Sequence, residues 1–220
     1  MNNIFQFGED VPGYPIRVLN EREIRAAAGI LFLAILLSFL EILYTGNFVP
    51  VKYLITLFFI DFLIRVLVNP RFAPMLILGR LIVRGQTPEY VGARQKKFAW
   101  GVGLFLSATM FVFLVLVNAY SPITGITCLL CLIFTFFESA FGICLACRFY
   151  SLVFRQKVQY CPGEVCDRKT KQDIQRTTGV QWVILLAFIA FFVSLTFYAS
   201  GFYHKKPYDL FRLNTTAKTN

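Results

Sequence analysis

Long runs of apolar residues are the feature that most restricts how this chain can fold. Of its 220 residues, 57% are hydrophobic, and the mean hydropathy is +0.62. A soluble domain spreads its apolar residues by amphipathic periodicity, whereas here they gather into runs of about 20, the length that crosses ~30 Å of hydrocarbon. The sequence therefore predicts a polytopic membrane protein with five spans, at 26–44, 49–68, 98–120, 123–147 and 180–202.

The spacing of these spans predicts an all-α transmembrane helical bundle with four core helices and a fifth C-terminal span. Short joins at 45–48 and 121–122 make two tight helical hairpins of the first four spans. The segment 72–83, with Pro74 and Arg80, is too short to span and is expected to be an interfacial or re-entrant helix. The chain divides into a polar lead-in, a four-span core, a cysteine-containing loop, the fifth span and a tail, at 1–25, 26–150, 151–179, 180–202 and 203–220.

The net charge of +10 is concentrated outside the apolar runs. The loops at 69–97 and 148–179 hold most of the basic residues, and the two hairpin turns hold none. This distribution follows the positive-inside rule, which places the N-terminus and both long loops in the cytoplasm and the tail outside. Topology and anionic lipid explain the basic loops, so we expect no nucleic-acid partner.

The stretch 138–147 places a carboxylate and a Cys-x-x-Cys pair at one end of a membrane-length helix. Charge in lipid is costly and a thiol pair is reactive, so both call for an explanation. For the cysteines the alternatives are thiol chemistry and the packing of two small apolar residues in a membrane helix. On one helix Cys144 and Cys147 stand close enough for a disulfide with modest distortion. At a cytoplasmic face, where thiols are normally reduced, catalysis, redox sensing or metal binding is favoured over a permanent bridge. The helix dipole at this end opposes a thiolate, so we expect neighbouring basic residues to supply its activation.

Four of the six cysteines are expected at the same face: Cys144, Cys147, Cys161 and Cys166. Their spacing is similar to that of a four-thiolate zinc or iron–sulfur site. The alternative is a thiol relay, in which Cys161 and Cys166 restore the redox state of the Cys144–Cys147 pair by exchange. Cys128 and Cys131 repeat the spacing deeper in the span, without adjacent charge, and are interpreted as packing residues.

The second span carries Asp61 and Arg65, spaced i,i+4 on one helical face. An unpaired charge in lipid is disfavoured by about 2.5 kcal/mol or more, so we expect the two to pair and face the bundle interior. Asp61 and Glu138 lie at nearly the same predicted depth, so Arg65 could bridge them. The three residues then form either a structural tie between helices or the polar floor of a substrate pocket.

Four strings together carry a family resemblance: NEREIR at 20–25, DFLIR at 61–65, GARQKKF at 92–98 and ESAFGICLAC at 138–147. Over roughly 17–150 the chain resembles a bacterial family of small membrane proteins, domain of unknown function 4395. Members look like four-helix membrane modules, some beside thioredoxin-like or rhodanese-type sulfur-handling domains. The resemblance implies a sulfur or thiol role for Cys144 and Cys147, and it leaves the fifth span, Cys161 and Cys166 without such support.

These features predict thiol-redox or sulfur-transfer chemistry at the cytoplasmic face of a bacterial inner membrane. Either Cys144 or Cys147 is the nucleophile and the other is the resolving thiol, with Asp61, Arg65 and Glu138 as the polar pocket beneath. The expected partners are the lipid bilayer and a thioredoxin-like or rhodanese-type protein. Two alternatives stand beside this hypothesis: a transporter of a small sulfur oxyanion bound by Arg65, and a scaffold with a four-cysteine zinc site. A quinone acceptor is compatible with the sequence, although no residue pattern demands one.

The charge asymmetry predicts which loops an impermeant reagent reaches. With the N-terminus in the cytoplasm, membrane-impermeant maleimide labels Thr216→Cys in intact cells, whereas it labels Gln86→Cys only after the membrane is opened. The measurement is the gel shift of a mass-tagged maleimide. Labelling of Gln86→Cys but not Thr216→Cys in intact cells contradicts this orientation.

Overall fold

Helices form most of the chain. The computed structural model describes residues 7–147, Phe149 and 177–210. Its helices are α1 (Glu21–Thr45), α2 (Val49–Leu63), α3 (Pro74–Val83), α4 (Ala93–Met110), α5 (Pro122–Phe136), α6 (Gly179–Tyr198) and α7 (Ser200–Tyr203). Three of them, α2, α4 and α5, continue into π-helical turns, at Ile64–Val68, Phe111–Leu116 and Phe137–Phe141, and a 3-10 turn at Pro70–Phe72 precedes α3. The predicted all-α class is confirmed.

Two small sheets mark opposite ends of the bundle. β1 (Val18–Asn20) pairs antiparallel with β2 (Tyr90–Gly92), which holds the N-termini of α1 and α4 together at what we call the β1–β2 end. β3 (Ala119–Tyr120) pairs parallel with β4 (Tyr208–Asp209) at the β3–β4 end. The chain runs from the β1–β2 end through α1 and α4, and it returns to that end through α2 and α5.

Within the described residues, four helical segments are long and apolar enough to cross a membrane: Glu21–Thr45, Ala93–Leu116, Pro122–Phe141 and Gly179–Tyr198. Their outward faces expose large apolar side chains, with Leu37 58%, Phe105 72% and Val183 66% exposed. Such extensive apolar surface marks contact with lipid or a partner rather than with water. The apolar helices indicate a membrane protein.

The second predicted span, 49–68, is helical throughout, through α2 and its π-helical turn. It differs from the other four because it contains three charged side chains, and all three are buried in the bundle: Lys52, Asp61 and Arg65. This helix therefore carries charge within its apolar run and keeps that charge away from the outer surface of the bundle.

α1 begins at Glu21, earlier than the span predicted from residue 26. The Asn20 side chain caps the helix by accepting a hydrogen bond from the Arg22 amide at 3.2 Å. Glu21 and Glu23 lie in the first turn, where the helix dipole favours negative charge. Part of the predicted polar lead-in thus belongs to the first helix.

The predicted fourth span, 123–147, is wrong at its C-terminal end. The helix stops at Phe141, because Gly142 adopts φ +65°, a left-handed conformation that ends helices. Cys144 lies beyond this break, and residues 145–147 begin a new helical turn. The two cysteines therefore lie past the end of the long helix rather than on it.

The short helix predicted at 72–83 is present as α3, and it is buried against α1. Gly79 permits the close approach, since a Cβ there would lie 2.5 Å from the Glu23 carbonyl oxygen. Arg80 donates from Nε and Nη2 to Glu23 Oε2, both at 3.1 Å. An ion pair and a glycine contact thus dock α3 on the first helix.

The described part of the predicted tail, up to Leu210, packs on the β3–β4 end. The Lys52 ammonium is buried and donates to Asn118 Oδ1 at 2.6 Å and to the Lys205 carbonyl at 2.5 Å. The Tyr203 ring stacks on Tyr53 with centroids 4.3 Å apart. These contacts join the chain that follows α6 to the N-terminal part of α2.

Gly79→Ala is expected to destabilise the protein, since its Cβ would collide with backbone that cannot move aside. Overpacking of this kind costs roughly 1–3 kcal/mol. Gly85→Ala is the matched control, because a Cβ at Gly85 meets nothing within 4 Å. The measurement is thermal unfolding in detergent, and equal midpoints for the two variants contradict the packing of α3 on α1.

Candidate functional site

A cavity at the β1–β2 end brings several of the predicted site residues together. It lies between α1, α2, α4 and α5, and its atom-free space, with open solvent included, is about 640 Å³. Its chemically active lining is Arg65, Lys96, Cys131, Thr135, Glu138 and Cys144. The rest of the wall is apolar and includes four aromatic rings, those of Phe58, Phe62, Trp100 and Phe134.

The ion pair between Asp61 and Arg65 forms one part of the cavity's surroundings. Arg65 Nη2 lies 2.6 Å from Asp61 Oδ2, and the side chains are 3% and 0% exposed. Asp61 Oδ1 also accepts a hydrogen bond from the Met75 amide at 2.9 Å, in the first turn of α3. The Arg65 guanidinium carbon lies 4.7 Å from the Phe62 ring centroid and 5.3 Å from that of Trp100. The pair ties α2 to α3 and puts a guanidinium on the cavity wall.

Glu138 pairs with Lys96 rather than with Arg65. Lys96 Nζ hydrogen-bonds to Glu138 Oε1 and lies 2.8 Å and 3.0 Å from the two carboxylate oxygens of Glu21. The Lys96 side chain is 2% exposed, so this cation is held inside the bundle by two carboxylates. The expected bridge from Arg65 assumed a helix that continued to residue 147. Because the helix ends at Phe141, Glu138 lies near its end and beside the first turn of α4.

Sequence reasoning did not single out Lys96, Glu21 or Arg25 as members of this site. The Arg25 guanidinium lies against Gly142, where a Cβ would come within 3.3 Å of its Cζ, Nε and Nη1 atoms. Lys96 and Glu21 fall in two of the strings that carry the family resemblance. That position was the only sequence feature that pointed to them as members of the site. Three cations and three carboxylates now balance around the cavity: Arg25, Arg65, Lys96, Glu21, Asp61 and Glu138.

Cys144 and Cys147 are joined as a disulfide, with Cα atoms 5.2 Å apart. Cys144 forms part of the cavity wall, and both residues are buried, at 6% and 2% exposure. The Cys147 amide donates to Cys144 Sγ at 3.2 Å, the arrangement of an N-cap side chain. The Cys147 sulfur lies 3.8 Å from the Gln95 carbonyl oxygen. Cys144 thus precedes a helical turn, and the expectation that a helix C-terminus opposes its thiolate is wrong.

The other four cysteines divide into two groups. Cys161 and Cys166, the predicted relay pair or additional metal ligands, lie outside the described residues. Cys128 and Cys131 are free thiols of α5 that pack in and against the hydrophobic core. Within the described residues, no group of three or more His, Cys, Asp or Glu side chains is arranged to hold a metal ion.

Fold and site together define a helical membrane protein with a disulfide at the wall of a charged cavity. The chain belongs to the family described as Domain of unknown function (DUF4395), which it matches over residues 19–155. The match takes in α1 to α5 and both cavity cysteines, and it ends before α6. No curated protein and no solved structure matches the chain significantly.

Lys96→Met is expected to be strongly destabilising, because it leaves the Glu21 and Glu138 carboxylates, only 13% and 14% exposed, side by side without their cation. The loss of one partner of a buried ion pair costs on the order of 3–5 kcal/mol. The neighbouring Lys97 is exposed, so Lys97→Met should change stability by less than about 0.5 kcal/mol. The measurement is thermal unfolding in detergent.

A second substitution separates charge from packing at the same place. Adding Glu138→Gln to Lys96→Met removes one unpaired carboxylate, so the double variant should melt above Lys96→Met alone. Equal melting of the Lys96 and Lys97 variants, or additive losses in the double variant, would show that the three side chains do not act as one network.

Proposed function

We propose that this protein carries out thiol–disulfide exchange at the membrane, with Cys144 and Cys147 as its reactive pair. The observation that carries the proposal is a disulfide on the wall of a charged cavity, at the end of an apolar helical bundle. On the positive-inside rule this end faces the cytoplasm of a bacterial cell. Thiols at a cytoplasmic face are normally reduced, so a disulfide beside a cavity at this end is better explained as an exchangeable pair than as a permanent bridge.

A purely structural bridge has little to contribute at this position. The stabilisation that a disulfide gives grows with the length of the loop it closes. Cys144 and Cys147 are separated by only three positions along the chain. Their bridge therefore restricts the unfolded chain far less than one between distant elements, and reactivity is the better explanation for the pair.

Cys144 is the sulfur that exchanges with a partner, since it is the one on the cavity wall. A partner thiolate attacks Cys144 Sγ and forms a mixed disulfide, while the Cys144–Cys147 bond breaks and Cys147 leaves as a thiolate that takes up a proton. The partner's second thiol then attacks the mixed disulfide and releases Cys144 as a thiol. The partner dithiol is oxidised to a disulfide and the Cys144–Cys147 pair is reduced, so electrons and protons balance.

In the reverse reaction the reduced Cys144 attacks a partner disulfide, and its surroundings favour the thiolate that this attack requires. The Cys147 amide already points at Cys144 Sγ, and a hydrogen bond to an ionised group stabilises it. Lys96 and Arg65 share the cavity wall with this sulfur. Cys144 is thus the nucleophile and Cys147 the resolving thiol, and the fitting partner is a thioredoxin-like or rhodanese-type protein that presents a thiol or persulfide.

The rival functions fit the site less well. A transporter of small anions needs uncompensated positive charge, whereas Arg65 is paired with Asp61 and Lys96 with two carboxylates. A four-cysteine zinc scaffold needs thiolates from Cys144 and Cys147, and a disulfide supplies none.

The test is reversible reduction of the pair in the folded protein. In a Cys161→Ser/Cys166→Ser background, maleimide mass-tagging should gain two thiols after treatment with a dithiol, and the gain should vanish in Cys144→Ser/Cys147→Ser. The matched control, Cys128→Ser/Cys131→Ser, should keep the gain of two. A thioredoxin-like protein that lacks its second cysteine should be trapped as a mixed disulfide on Cys144.

The proposal fails if the pair is reduced only after the protein unfolds. It also fails if the partner is trapped equally well on the Cys144→Ser/Cys147→Ser variant, because the attachment then occurs elsewhere.

A further inference from the structure

We propose that the cavity beside Cys144 binds a membrane quinone, which accepts two electrons from the reduced Cys144–Cys147 pair. The inference rests on the proposed exchange function, because electrons collected from a partner dithiol must leave the pair before the next cycle. It adds the class of the second substrate and the residues that hold it.

The cavity wall favours a flat apolar ligand. Most of the lining is hydrophobic, and four aromatic rings contribute to it: Phe58, Phe62, Trp100 and Phe134. Aromatic side chains stack with other conjugated rings in offset or edge-on geometry. The surrounding helices are apolar and of membrane length, so a ligand that dissolves in lipid is available at high local concentration. A quinone ring with an isoprenoid tail has both properties.

One hydrogen-bond donor on the cavity wall, the Nε–H of Arg65, has no acceptor in the part of the chain that the structure describes. Arg65 is 3% exposed and lines the cavity, and its Nε has no hydrogen-bond acceptor among the described residues. A buried donor without an acceptor is costly, so the position calls for an acceptor atom from a ligand. The balanced charges around the cavity favour a neutral ligand over an anion. A quinone carbonyl oxygen is a neutral acceptor and suits this donor.

Electrons and protons balance in the redox step without a further reagent. When Cys144 and Cys147 form their disulfide, the two thiols lose two electrons and two protons. The quinone gains both, one proton on each carbonyl oxygen, and becomes the quinol. Glu138 and Lys96 lie on the same wall as Cys144 and can hold a proton that passes from thiol to quinone.

Trp100 makes quinone binding measurable, since it lines the cavity and the chain has only one other tryptophan, Trp182 on α6. Binding is measured in Cys144→Ser/Cys147→Ser, which cannot transfer electrons. With Trp182→Phe added, a short-tailed ubiquinone should quench Trp100 fluorescence saturably. With Trp100→Phe instead, the quenching of Trp182, which is 46% exposed, should rise without saturation.

Two variants test the named contacts. Arg65→Lys keeps a cation beside Asp61 but removes the Nε donor, and it should weaken binding about tenfold. Phe134→Ala removes a ring from the wall and should weaken binding similarly. Phe105→Ala is the matched control, since Phe105 lies on the exposed face of α4 and should leave binding unchanged.

The second measurement follows electrons. The dithiol-reduced protein, with Cys161 and Cys166 replaced by serine and excess reductant removed, should convert one quinone to quinol per chain by absorbance. Cys144→Ser/Cys147→Ser should convert none.

Quenching that does not saturate, or that Arg65→Lys leaves unchanged, overturns the quinone site. Saturable binding without quinol overturns the acceptor role if the same protein still exchanges with thioredoxin. If exchange with thioredoxin fails while binding and quinol formation persist, the quinone site stands and the proposed partner chemistry falls.

Discussion

Charge buried in an apolar bundle must be neutralised, and this requirement determines how the β1–β2 end is built. Lys96 joins α1 and α5 to α4 through Glu21 and Glu138. The Glu23–Arg80 pair docks α3 on α1. Asp61, paired with Arg65 on its own helix, holds the first turn of α3 by accepting from the Met75 amide. Between apolar helices in lipid, hydrophobic burial gives little preference for one contact over another, so polar pairs and small residues specify the packing. The ion pairs therefore decide which helices meet at this end.

The cavity follows from the same constraint. Its charged wall consists of side chains that the ion pairs already hold, so their positions are set before any ligand arrives. Gly142 ends the long helix beside Arg25. The chain after this break leaves the helix and places Cys144 on the cavity wall. A disulfide, a guanidinium with a free donor and aromatic rings are brought to one place by α2, α4, α5 and the segment that follows Gly142. This convergence is what makes redox exchange a better account than packing.

Much of the architecture could be predicted from the sequence, because apolar runs of membrane length allow few folds. The pairing of Asp61 with Arg65 was predictable as well, since both the spacing and the cost of isolated charge point to it. The end of the fourth span was not, because residues 142–147 remain apolar, so hydropathy carries no sign of the break at Gly142. The partner of Glu138 was also missed. Lys96 is distant in sequence and lies in a stretch whose basic residues were explained by topology alone.

The most direct test of the central claim is an equilibrium redox titration of the Cys144–Cys147 pair in folded protein, read by mass-tagging across dithiol buffers. Exchangeable pairs are poised above about −300 mV, whereas structural disulfides are reduced only below it. A single two-electron transition above that value is expected, with the helical circular dichroism unchanged on both sides. A pair that stays oxidised below about −300 mV, or that is reduced only as the helices melt, would contradict this expectation.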